Sequence, residues 1–115
     1  MELLIVAPKY VRNNKLGLSF LNETLFKIQF HEYTRLVLNF KKTNWFEANL
    51  VAILGVCIKE AQLRRKEVVI SNLSSSIKNV FKKNGFYTYF NLGEEEDTFN
   101  STIQFKVFNV YSLDD

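Results

Sequence analysis

Three short apolar runs, residues 2–6, 35–40 and 67–70, alternate with stretches in which apolar side chains return at helical spacing. Strands separated by helices build parallel sheets, because a parallel neighbour is reached only through a crossover of about a dozen residues or more. Right-handed crossovers then limit the topology. The expected fold class is α/β, with a small mostly parallel or mixed sheet and helices packed against it. At 115 residues the chain is one domain by length and long enough to bury a core without metals or disulfides.

The first helical pattern spans roughly 19–32, with Leu21, Leu25, Ile28 and Glu32 on one face and Ser19 or Asn22 as cap. Phe26, Phe30 and Tyr33 widen its stripe. The run at 35–40 is nearly continuous in apolar side chains, as in a strand covered on both faces. A second helix is expected from Trp45 or Glu47 to Arg65, carried by Leu50, Ile53, Leu54, Cys57, Ile58 and Ala61. A short third helix presents Ile77, Val80 and Phe81 and stops at "KKNG", where Gly85 suits a left-handed cap. Tyr10 and Val11 suit a short strand, and Ile103, Phe105 and Val107 alternate as in a late one. The acidic run at 94–97 reads as a solvated loop.

Several chemistries find no support. Gly17, Gly55, Gly85 and Gly93 are scattered, so no phosphate-cradling loop or dinucleotide fingerprint exists, and there is no nucleophile elbow. His31 is the sole histidine and Cys57 the sole cysteine, which leaves no metal-ligand pair and no disulfide. Cys57, among Val, Gly and Ile, reads as an inert packing thiol. No paired carboxylates suggest acid/base work. Neither enzyme activity, nor a metal, nor a cofactor is expected. No apolar run is long enough for a membrane span and no cationic leader precedes "LLIVA", so the expected location is the cytoplasm. Fifteen Lys and Arg against twelve Asp and Glu give a charge of +3, too mild to name a nucleic-acid binder.

The joint at "NWFEANL" concentrates the candidate residues. Ligands and partners of α/β folds gather where strands end. Asn44 with Glu47 three residues on reads as a capping box, worth about 1 kcal/mol. Trp45 and Phe46 would pack near the strand end, and Trp is favoured at binding hot spots. Lys41 and Lys42 beside them would steer an acidic partner.

The same region resembles a STAS domain, the fold of anti-sigma-factor antagonists and of the cytosolic tails of sulfate transporters. "LVLNF" resembles the family's hydrophobic strand, and "NWFEANLVAILG" its switch loop and helix start. "EVVISNLSSSIKNVFKKNGFYTYF" resembles the next strand, short helix and Gly-aromatic turn. The likeness covers residues 35–90, about half the chain, with the first 34 fitting by pattern alone. It places Glu47 at the family's Asp, Ala48 at the first Ser and Asn49 at the Ser that a partner kinase phosphorylates, with Leu50 for the Gly. No hydroxyl remains, so the resemblance implies a surface that stays binding-competent without the usual switch.

A narrower likeness, through the "FFEAN"-type loop, the "KNGF" turn and "STIQFKVFNV", is to STAS-like domains that accompany histidine-kinase-type ATPase domains. It implies a partner of that kind, in cis within a longer two-domain protein or in trans. The resulting expectation is a non-enzymatic protein-interaction module in bacterial regulation, binding through Lys41, Lys42, Asn44, Trp45, Phe46, Glu47, Ala48 and Asn49. A nucleic-acid-binding domain, motivated by Arg64, Arg65, Lys66, Lys82 and Lys83, is the second reading. A STAS domain of a transport or lipid-trafficking system is the third.

Overall fold

The computed structural model describes residues 1–86, 90 and 103–105. Strands β1 (Glu2–Val6), β3 (Arg35–Asn39) and β5 (Glu67–Ser71) lie side by side and parallel, and β6 (Ile103–Phe105) adds an antiparallel margin next to β5. A separate parallel pair joins β2 (Tyr10–Val11) to β4 (Trp45–Phe46). Helices α1 (Lys15–Phe30), α2 (Val51–Leu63) and α3 (Ser75–Lys83) complete a small α/β fold with a mostly parallel sheet, as the alternation of runs predicts. The acidic run at 94–97 and Val107 lie outside the described residues.

One face of the sheet forms the core. Ile5, Leu36, Leu38, Val68 and Ile70 join Leu21 and Ile28 of α1 and Leu54, Ile58 and Ala61 of α2 in one buried cluster. The strand at 35–39 is not covered on both faces as its composition suggests. Leu36 and Leu38 are buried, while Arg35, Val37 and Asn39 are only partly so. The register explains this, because Glu2, Arg35 and Glu67 form a cross-strand row of charge on the other face. Arg35 lies 3.8 Å from Glu2 and 3.7 Å from Glu67, ion pairs too long to be hydrogen bonds and too exposed to add much stability.

Helix α1 starts four residues earlier than its apolar pattern does, at Lys15 rather than Ser19. The cap is Asn14, whose side-chain oxygen accepts from the Gly17 N–H at 3.0 Å, and not Ser19 or Asn22. The helix ends at Phe30, leaving His31 as an extended, exposed C-cap and Glu32 off the helix. The Tyr33 hydroxyl donates to the Ile28 carbonyl at 2.8 Å and occupies one of the last orphan acceptors.

Helix α2 likewise begins at Val51, not at Trp45 or Glu47. Trp45 and Phe46 are strand, and Ala48–Leu50 is a single 3-10 turn. Cys57 is buried where α2 meets α1, its Sγ 3.8 Å from the Leu21 carbonyl. Burial pushes the thiol up to about 11. The unfolded chain, with a thiol near 9, loses its proton first, so this group favours unfolding as pH rises from 9 toward 11. At neutral pH a disulfide reagent is expected to leave Cys57 unmodified in the native protein and to react at once after denaturation, followed by absorbance of the released thiol.

Helix α3 follows its expected rules. Ser74 accepts from the Ile77 N–H at 3.2 Å, and Gly85 takes a positive φ of 79° just past the end. Its inner face carries Phe81 into a cluster with Phe40, Phe46 and Phe86, with ring centroids 5.9, 5.2 and 4.9 Å from Phe81.

Candidate functional site

The carboxyl ends of β1 and β3 lead into two loops that lock together. The Ala7 N–H donates to Asn39 O at 2.8 Å, and the Thr43 hydroxyl, 3% exposed, donates to Pro8 O at 2.8 Å. The Asn39 side-chain oxygen accepts from Lys41 N at 2.8 Å and from Asn72 Nδ2 at 3.0 Å, tying the loop after β3 to that after β5. Lys9 O then accepts from Asn44 N at 2.7 Å and from Trp45 N at 3.3 Å, and Val11 O accepts from Glu47 N at 2.8 Å. These bonds zip β4 onto β2 over two residues.

The capping box expected at Asn44 and Glu47 is therefore not formed. The Asn44 backbone N–H goes to Lys9 O, β4 separates Asn44 from the helical turn, and Glu47 makes no side-chain cap bond. Its carboxylate instead accepts a long bond, 3.4 Å, from the Trp45 indole N–H. Aromatic side chains suit a pleated surface better than a helix start, and a backbone partner was at hand in Lys9–Val11.

Side-chain alternation in β4 settles what each aromatic does. Phe46 points into the core, 1% exposed, against Phe81 and Phe40. Of the eight residues singled out from the sequence, it is the one buried out of a partner's reach, and it acts as the footing for its neighbour. Trp45 points outward, 52% exposed, and its register partner Tyr10 is 43% exposed beside it. Lys41, Lys42, Asn44, Ala48 and Asn49 are exposed and Glu47 partly so.

Sequence reasoning missed Lys9, Tyr10 and Arg12 as members of this surface. The Arg12 guanidinium stands 4.4 Å from the Tyr10 ring centroid and Lys9 Nζ 5.5 Å from it. The signal that brings them in is the pairing of Tyr10 with Trp45, a contact between residues far apart in sequence. Beyond Tyr10 a groove of about 570 Å³ runs between β1, β2 and the first half of α1, floored by Val6, Pro8, Leu16 and Phe20. The arrangement presents two aromatics on a hydrogen-bonded backbone, with Lys9 and Arg12 over the Tyr10 ring and Lys41 and Lys42 exposed in the loop before β4.

Two of the basic residues behind the nucleic-acid reading sit elsewhere. Arg64 is bonded to Glu60 at 2.7 Å, and Lys66 lies 5.1 Å over the Tyr33 ring, both at the amino end of the sheet. Among the described residues there is no group of three His, Cys, Asp or Glu side chains that could hold a metal, and no helix is long and apolar enough to cross a membrane.

No family model, curated protein or solved structure matches the chain.

Proposed function

We propose that this chain is a non-enzymatic recognition domain that binds an acidic protein surface through Trp45 and Tyr10. The observation that carries this reading is the side-by-side, half-exposed aromatic pair, held by backbone bonds to Lys9 and Val11, with Lys9 and Arg12 over the Tyr10 ring. Trp and Tyr in a rigid setting supply contact area at low entropic cost, and Lys and Arg around them speed encounter with negative partners. The likeness to STAS domains supports a regulatory partner of the histidine-kinase-type ATPase class, with Ala48 and Asn49 exposed at the start of the helix and no switch hydroxyl between them.

Single-stranded nucleic acid would use the same ingredients, cations and stacking platforms. One feature favours protein: the Arg12 guanidinium already stands over the Tyr10 ring, on which a base would have to stack.

Trp45 is the sole tryptophan, so its emission reports on the site directly. Affinity capture with wild type and Trp45→Ala, followed by titration of the captured protein, should give a blue-shifted Trp45 signal for wild type. The variant is expected to bind about thirtyfold more weakly, with stability changed by no more than about 0.5 kcal/mol. Asn49→Asp, which adds charge where the resemblance puts the phosphorylated Ser, should also weaken capture. Equal recovery with all three baits would overturn the reading. Quenching by a single-stranded oligonucleotide that fades steeply with salt would replace it with the nucleic-acid one.

A further inference from the structure

Helix α1 carries a second exposed surface, whose first half also walls the groove beside Tyr10. Leu16, Phe20, Glu23, Lys27 and Phe30 recur at spacings of four and three, the seam of a coiled coil. The buried residues of α1 are Gly17, Leu21, Thr24 and Ile28, so this seam lies on a flank of the helix, with Phe20 half-buried at the edge of the core. Leu16 is 79% and Phe30 69% exposed. Phe26 adjoins the seam, 57% exposed, its ring 4.8 Å from that of Phe30, so the two form one apolar knob. An apolar stripe this exposed on a helix of 16 residues calls for a partner.

The charges identify the partner. Glu23 and Lys27 stand four residues apart in the favourable order for an intrahelical pair, yet no ion pair between them forms. Antiparallel packing of two α1 helices about a two-fold axis near Leu25 brings Glu23 against Lys27 of a second copy, and Lys27 against its Glu23. The same axis sets Phe20 against Phe30 of the second copy, and Phe30 against its Phe20. Glu23, Lys27, Phe20 and Phe30 then each meet a complement, as an isologous interface requires, while Leu16 lies outside the paired span because its counterpart position, 34, is past the end of α1.

We infer that the chain self-associates as a two-fold dimer through antiparallel α1 helices, with reciprocal Glu23–Lys27 pairs and Phe20–Phe30 contacts. One helix of 16 residues, about 24 Å long, buries less than a standard interface, so the dimer is weak and reversible.

Sedimentation equilibrium of the whole chain, from low to several hundred micromolar, tests this. The wild-type mass should rise from one chain to two. Lys27→Glu and Glu23→Lys, which set like charges opposite one another, should each weaken the dimer about tenfold or more. The double variant E23K/K27E should recover it, as should mixing the two single variants. Phe30→Glu should abolish it, and Trp45→Ala should leave it unchanged. Thermal melting by circular dichroism confirms that each variant is folded. A wild-type mass that stays at one chain, or a dimer indifferent to Lys27→Glu and Phe30→Glu, would overturn the inference.

Discussion

Gly17→Ala is expected to be among the most damaging single-methyl additions this protein can receive. Gly17 lies in the first turn of α1, and a Cβ there would stand 1.8 Å from the Arg12 carbonyl oxygen and 2.8 Å from the Arg12 nitrogen. Those are backbone atoms, so no rotamer relieves the clash. Either the segment before Asn14 moves off the helix, which breaks the Asn14 cap, or the first turn unwinds. Overpacking normally costs about 1–3 kcal/mol, and a rigid backbone obstacle places this case at or above about 3 kcal/mol. A melting temperature lower by about 12 °C or more would follow. Gly55→Ala is the control. A Cβ there meets only the Phe90 ring at 3.7 Å, an ordinary contact. Alanine also favours the helix by up to about 1 kcal/mol, so thermal unfolding should show Gly55→Ala neutral or stabilised. Two variants that fall together would refute the assignment of Gly17 to close backbone packing.

Phe81→Ala should cost about 3–5 kcal/mol, as aromatic deletions from full burial do. Phe81 is fully buried and touches the rings of Phe40, Phe46 and Phe86. Its removal leaves a cavity beneath β4, whose inward residue Phe46 then loses a ring partner at 5.2 Å. The midpoint of urea unfolding should fall, with a slope close to that of wild type. Trp45 emission in the native state should change as well, because Phe46 fixes the strand on which Trp45 is displayed. Phe81→Leu keeps most of the volume and should lose far less. An unfolding free energy for Phe81→Ala within about 1 kcal/mol of wild type would show that the cluster does not bear on stability.

These residues also mark what could be read in advance. The main strands announce themselves because each is a short apolar run bounded by polar residues, and the local period carries the information. Gly85 is legible for the same reason, since a left-handed cap depends on immediate neighbours. Asn14 was hidden in the polar string "RNNK", where the apolar period that marks α1 has not yet begun. The pair Trp45–Phe46 adjoins a helix, so the local pattern points to helix there. Its strand conformation comes from bonds to Lys9 and Val11, which no local pattern reports. The candidate site follows that division. Lys41, Lys42 and Trp45 were recognisable by type and position, whereas Tyr10 and Arg12 join them only through a pairing across 35 residues of chain.

The order of strands in the main sheet bears on how the protein is made. Glu2 pairs with Arg35, and Arg35 in turn with Glu67, so the sheet is laid down in the order of synthesis. As the ribosome extends the chain, each new parallel strand finds the previous one already released and needs no later segment to complete the pair. Such a layout keeps the interval during which an apolar edge stands uncovered short on the scale of translation.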